Sequence, residues 1–169
     1  LGKALNNQEL NPRIEALIVF NSNPAVTTPN QNLVLKGLER NDLLTVVSEH
    51  FLTDTARYAD YIFPATSVLE NWDILDSWGT PYININEPAI KPVGESKPNS
   101  ELFRLLSKEM GFKESYLYES DIDIVRKTLD SNHEYMKGIT FESLRKTGWA
   151  KLKVTDKWMP HAEGNFKTE

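Results

Sequence analysis

Apolar positions fall into two rhythms along the first third of the chain. Residues 15–20 (Glu15, Ala16, Leu17, Ile18, Val19 and Phe20) form a nearly unbroken apolar run between Pro12 and the turn-forming Asn21-Ser22-Asn23-Pro24. That is the pattern of a strand buried on both faces, as in a parallel sheet. After a Pro- and Asn-rich loop ending at Asn30, Leu33, Val34, Gly37 and Leu38 recur at helical spacing and predict a crossover helix ahead of Asn41-Asp42. Leu43, Leu44, Thr45, Val46 and Val47 predict a second buried strand, which turns polar at Ser48, Glu49 and His50. Tyr61-Ile62-Phe63, stopped by Pro64, predicts a third, and Thr53 is placed to cap a short helix running to Ala59. Two crossovers between parallel strands imply a right-handed, doubly wound arrangement.

Regularity fades from Ser67 to Pro98, where Trp72, Trp78, Gly79-Thr80-Pro81, Pro88, Pro92 and Pro98 predict an irregular excursion. Asn99 or Ser100 then caps a helix carrying Leu102, Phe103, Leu105, Leu106 and Met110 on one face and closed by Gly111. Ile122, Val125 and Leu129 place one or two more helices in residues 119–147, and the last twenty residues read as a tail. The expected fold class is therefore α/β: a Rossmann-like open, mostly parallel sheet with flanking helices, an irregular excursion over 67–98 and a C-terminal helical segment. Residues 1–112 are expected to form the α/β domain and 113–169 a helical extension and tail.

Composition narrows the chemistry. With 169 residues and 40% of them apolar, the chain is long enough to bury a core. The 19 Lys and Arg against 24 Asp and Glu, with no basic stripe, argue against a nucleic-acid partner. There is no run long enough for a membrane span and no signal core; the localisation is unassigned, with the cytoplasm slightly favoured. The absence of cysteine removes disulfides, thiolate nucleophiles and iron–sulfur ligands from this chain. His50, His133 and His161 lack metal-ligand spacing, so no metal site and no catalytic residue is assigned. The chain lacks an initiating methionine and a terminal stop signal, and reads as an excerpt of something longer.

Ligands of open parallel sheets bind at the carboxyl ends of the strands. The residues there are small or hydrogen-bonding: Asn21, Ser22, Asn23 and Thr27 after the first strand, Ser48, Glu49 and Thr53 after the second, Ala65 and Thr66 after the third. Spacing alone leaves two readings open, a ligand cradle and ordinary turn chemistry. No glycine-rich nicotinamide fingerprint or P-loop is present.

Three segments carry a more specific signal: Val19-Phe20-Asn21-Ser22-Asn23-Pro24-Ala25, the run from Thr53-Asp54-Thr55-Ala56 through Ala59-Asp60-Tyr61-Ile62-Phe63-Pro64-Ala65-Thr66, and Glu70. In this order they resemble the molybdopterin oxidoreductases, relatives of dimethyl sulfoxide reductase and formate dehydrogenase, with Phe63 where that family usually has Leu. The segment from Pro88 to Lys97 resembles the family stretch before its next helix, and Gly164 to Glu169 the lead-in to a C-terminal barrel-like domain. The resemblance implies an enzyme fragment that grips one molybdopterin guanine dinucleotide of a bis-pterin molybdenum or tungsten cofactor. By position it implies contacts from Asn21, Asn23, Thr27, Ser48, Glu49, Ala65 and Asn99, with Thr53 near the phosphates. Asn99 stands where Asp is common, and a helix-cap role for it stays open. Any iron–sulfur cluster and the metal's protein ligand belong to other parts of such a polypeptide. The implied partners are the remaining domains, a small-molecule redox substrate and, in some members, an electron-transfer subunit. The alternative is a stand-alone nucleotide-binding or interaction module.

Overall fold

The computed structural model describes residues 1–77 and 79–155 together with Met159, His161, Glu163, Gly164 and Phe166. The described chain is mixed α/β and divides into two compact units, the first comprising Leu1–Asn71 and Pro88–Tyr118, the second Trp72–Glu87 and Glu119–Glu169.

In the first unit β1 (Ala16–Phe20), β2 (Leu44–Glu49) and β3 (Tyr61–Pro64) form a parallel sheet in the order β1-β2-β3. A short α2 (Pro24–Thr27) follows β1, and the predicted crossover helix is α3 (Gln31–Leu38). It packs against α1 (Gly2–Asn6), a helix the apolar pattern did not reveal because only Leu5 among its residues is a buried large apolar side chain. The two helices meet through glycine: a Cβ on Gly37 would lie 2.6 Å from the Leu5 Cβ, and one on Gly2 would lie 2.8 Å from the Val34 amide nitrogen. Arg40 fastens this corner, donating to the carbonyls of Leu5 (2.6 Å) and Ile14 (3.0 Å) while pairing with Asp42. Hydrogen bonding with Asp42 raises the Arg40 pKa, and the same bond lowers that of Asp42.

Burial on both sheet faces is corrected. Val19 and Val47 are buried in one cluster with Ala56, and Thr45 is buried as well, but Ile18, Phe20, Leu44, Tyr61 and Phe63 remain exposed by 40–60%. The apolar run reported a parallel strand correctly and overstated how much of it is covered. The second crossover also differs, holding only a 3-10 turn at Ala56–Tyr58. Thr53 accepts the Ala56 amide at a long 3.4 Å. Asp60 closes this crossover onto β2, its carboxylate accepting the Thr45 amide at 2.7 Å and its own amide donating to the Thr45 carbonyl at 2.8 Å.

The excursion is more regular than its Pro and Gly content suggested. It contains an antiparallel hairpin of β4 (Asp73–Ser77) and β5 (Thr80–Asn86), joined by β6 (Trp149–Lys151), whose Ala150 and Lys151 fall within the predicted tail. Alternation was the missed signal: Ile83 faces inward and its neighbours Tyr82 and Asn84 do not. This second sheet packs with α5 (Asp121–Leu129) and α6 (Phe141–Thr147) around Ile83, Val125, Leu129, Phe141 and Leu144. Trp72 packs on Phe141 with ring centroids 5.9 Å apart, as a packing aromatic. Trp78 and most of the segment from Gly164 to Glu169 lie outside the described residues.

In the first unit α4 (Asn99–Glu109) has Pro98 at its cap position and no side-chain capping bond, so neither Asn99 nor Ser100 is the cap. Its docking edge is Leu102, Phe103 and Ser107, with Phe103 edge-on to Phe20 at 5.2 Å; Leu105, Leu106 and Met110 are exposed. Among the described residues no helix is long and apolar enough to cross a membrane.

Candidate functional site

Parallel pairing brings all three strand ends to one edge, and the register Phe20–Ser48–Phe63 sets them level. Immediately after β1, Asn21 adopts a left-handed backbone with φ of +51°, a conformation Asn tolerates better than most residues, and this turns the chain off the sheet. A continuous side-chain relay crosses the edge. The hydroxyl of Ser48, 3% exposed, donates to the Asn99 carboxamide oxygen at 2.9 Å, and the Asn99 amide nitrogen donates to the Asn21 carboxamide oxygen at 3.0 Å. Residues 21, 48 and 99 are thereby held as one polar surface. Beside it opens a pocket of about 360 Å³, lined by Ser48, Ile62, Phe63, Pro64, Glu95, Lys97 and Leu102.

Ala65 adjoins the same edge. Its amide donates to the Glu49 carbonyl at 3.1 Å, and it forms a parallel bridge with Lys97. The Glu49 carboxylate accepts the His50 amide at 2.7 Å, and the His50 ring N–H donates to the Thr66 carbonyl at 2.7 Å, knitting the end of β2 to the turn after β3.

The remaining predicted residues serve the frame. Asn23 accepts from the Thr55 hydroxyl at 2.6 Å and the Thr55 amide at 3.2 Å, and so joins the loop after β1 to the loop after β2. Thr27 turns its hydroxyl back to the Asn23 carbonyl at 3.0 Å. Thr53 holds its own turn. The structure therefore brings Asn21, Ser48 and Asn99 together, with Ala65 and Glu49 adjacent, and separates from them the side-chain work of Asn23, Thr27 and Thr53.

Two residues escaped sequence reasoning as individuals. Thr55 is fully buried and accepts the Ala25 amide at 3.0 Å while donating to Asn23; it stood inside a recognised motif without a stated role. Lys97 lines the pocket, and its signal was adjacency to Asn99 at the end of the Pro-rich segment. Nearby, the Glu70 carboxyl is held below the ordinary carboxylate range, first by the Ser67 hydroxyl and then by the amides of Ser67 and Val93.

The polar groups here are the Ser48 hydroxyl, the carboxamides of Asn21 and Asn99, and the side chains of Lys97 and Glu95. Such groups suit a nucleotide's base, hydroxyls and phosphate oxygens. Among the described residues no group of three or more His, Cys, Asp or Glu side chains is arranged to hold a metal ion.

The sheet, its strand-end loops and the three recognised segments are those of the molybdopterin oxidoreductases: the family profile matches residues 2–109, and the chain belongs to that family. Among curated proteins it is 44% identical over 154 residues to the probable oxidoreductase YoaE of Bacillus subtilis, covering 90% of this chain and 22% of that protein. It is 31% identical to the assimilatory nitrate reductase catalytic subunit of the same organism, over 80% of this chain and 19% of that one. Among solved structures it superimposes on acetylene hydratase from Pelobacter acetylenicus with a TM-score of 0.71 and 26% identity, covering 94% of this chain and 21% of the hydratase. The chain thus spans about a fifth of the length of these relatives.

Proposed function

We propose that this chain is the part of a molybdopterin-dependent enzyme that grips one guanine dinucleotide arm of a bis-pterin cofactor. The observation that carries the reading is the Ser48–Asn99–Asn21 relay at the carboxyl edge of a parallel sheet, next to a pocket lined by Lys97. Carboxyl edges of such sheets are where nucleotides bind. Relatives of this chain are named for a nitrate reductase and an acetylene hydratase, reactions with nothing in common at the substrate. A segment shared by both is better suited to holding what the enzymes have in common than to selecting substrate.

In this reading Ser48, Asn99 and Asn21 present hydrogen-bonding groups to the base and sugar. Lys97 offsets phosphate charge, and the backbone around Ala65 allows close approach. Glu95 and Glu49 are acceptors for sugar hydroxyls. The bound cofactor supplies the redox-active metal, and this chain's residues orient it from one end. Redox turnover, the substrate and any electron-transfer partner would belong to the whole polypeptide.

The test is a calorimetric titration of the chain with guanosine diphosphate, with adenosine diphosphate as comparison and Ser48→Ala and Lys97→Ala as variants. Saturable guanosine diphosphate binding, weakened by both substitutions in chains with wild-type circular dichroism, is the expected result. A folded chain that binds neither nucleotide contradicts the proposal.

A further inference from the structure

The chain leaves the parallel-sheet unit after Asn71 and re-enters it at Pro88, and Glu70 stands at the exit. Its side chain is buried, at 8% exposure, and its two oxygens serve opposite sides of that gap. Oε2 accepts from the Ser67 amide and the Ser67 hydroxyl, each at 2.7 Å, closing the turn that precedes the exit. Oε1 accepts from the Val93 amide at 2.6 Å and, at 3.5 Å, from the Ser96 hydroxyl on the returning segment.

We propose that Glu70 is a positioning residue, a latch that seats residues 93–97 against the strand ends and so delivers Lys97 to the pocket and Asn99 to the relay beside it. Its functional meaning rests on the nucleotide reading of that pocket; the latch itself can be measured without a ligand.

Residues 88–98 contain no helix or named strand, so their position depends on single anchors. Ala89 and Ile90 donate to the Leu69 carbonyl at 2.8 and 3.1 Å. Lys97 donates to the Pro64 carbonyl at 3.0 Å, and Thr66 donates to the Lys97 carbonyl at 3.2 Å. Between these backbone anchors Glu70 supplies a side-chain tie to the rest of the unit. The bonds from Ser96 to the Val93 carbonyl are internal to the turn and cannot place it. Three residues separate Val93 from Lys97, so a displacement of Val93 reaches Lys97 along a short stretch of chain. A carboxylate suits the post because it accepts on both oxygens and carries charge, which strengthens each bond. A carboxamide would turn an NH2 group toward one pair of donors.

Amide hydrogen exchange of the full chain, with guanosine diphosphate titration in parallel, tests this on Glu70→Gln and Val93→Pro. Val93→Pro removes the Val93 amide, the shorter of the two loop-side bonds, and leaves the bonds to Ser67 intact, so it remains informative if Glu70→Gln fails to fold. The latch predicts that in each folded variant the Lys97 and Thr66 amides exchange ~tenfold faster or more, with Val47 in β2 unchanged. It also predicts that guanosine diphosphate affinity falls, and that the double variant is no worse than the weaker single one. Unchanged exchange at Lys97 and Thr66 in Val93→Pro overturns the latch, as does equal acceleration across β2. If the wild-type chain binds the nucleotide and the variants bind it equally despite faster exchange, delivery of Lys97 and Asn99 is overturned. Absence of binding by the wild-type chain counts against the nucleotide reading, while exchange still decides the latch.

Discussion

Asn23 and Thr55, 32 positions apart in sequence, are joined by a 2.6 Å hydrogen bond from the threonine hydroxyl to the carboxamide oxygen. Because the same hydroxyl accepts the Ala25 amide at 3.0 Å, Thr55 holds the loop after β1 from both sides of Pro24. Thr55→Val keeps the shape, leaves the buried Ala25 amide unmet and takes one of two hydrogen bonds from the Asn23 carboxamide oxygen, which keeps the residue 55 amide. It is expected to cost about 1–3 kcal/mol, read as a lower urea midpoint at unchanged slope. Thr55→Ser, which keeps the hydroxyl, should recover most of that loss.

A second buried threonine predicts the opposite sign. Thr45 is 1% exposed, and its hydroxyl oxygen has no hydrogen-bond partner, while its backbone is fully engaged with Asp60. Thr45→Val removes an unpaired polar atom from the sheet's covered face and adds a methyl group favourable in a strand. A gain of about 1 kcal/mol is expected in the same denaturation experiment. A loss of stability would mean that the hydroxyl is satisfied in solution.

These two residues show why the fold was more legible than the site. The three parallel strands, the α3 crossover and helices within residues 119–147 follow from apolar spacing, which reports burial directly. The hairpin was hidden because Pro81 and Gly79 advertise turns, and its inward positions, such as Ile83, are few. The family motifs were visible as letters, but letters do not say which atoms face which. Asn23 and Thr53 read as ligand contacts because they are polar residues at strand ends, and such residues also tie loops together, as Asn23 does through Thr55. Asn21, Ser48 and Asn99 were named separately, and only the folded chain makes them one relay. Asp60 and Glu70 are recognised motif residues whose work, closing a crossover and gripping a returning loop, has no local signature.

Glu70 also gives the molecule an acid-sensitive joint. Its carboxyl pKa is lowered in the folded chain, chiefly by the Ser67 hydroxyl and then by the Ser67 and Val93 amides. A carboxyl whose pKa is lower folded than unfolded adds stability above its unfolded value, and that stability is lost as pH falls through the folded one. Thermal stability should therefore decline as pH drops from about 4.3 downward. In Glu70→Gln this contribution to the decline should be absent, and the variant should be closest to wild type at the acid end. Parallel curves for the two proteins would show that Glu70 does not contribute to the decline.

Asn99→Asp separates the roles of the first residue of α4. A carboxylate there can still accept from Ser48, and the Asn21 carboxamide can rotate to donate rather than accept, so the relay survives. The added charge sits at the N-terminal end of an 11-residue helix, where it is favourable by about 0.3–1 kcal/mol. The fold should therefore tolerate the change or gain slightly. Ligand preference should shift more. Guanine presents two adjacent N–H donors, which a carboxylate accepts together, while a carboxamide offers one acceptor and opposes the second with its own N–H. If residue 99 faces the base, Asn99→Asp raises the affinity ratio of guanosine to adenosine diphosphate by roughly tenfold. If the ratio is unchanged while stability rises, residue 99 acts on the helix and the relay alone, and the base is read elsewhere.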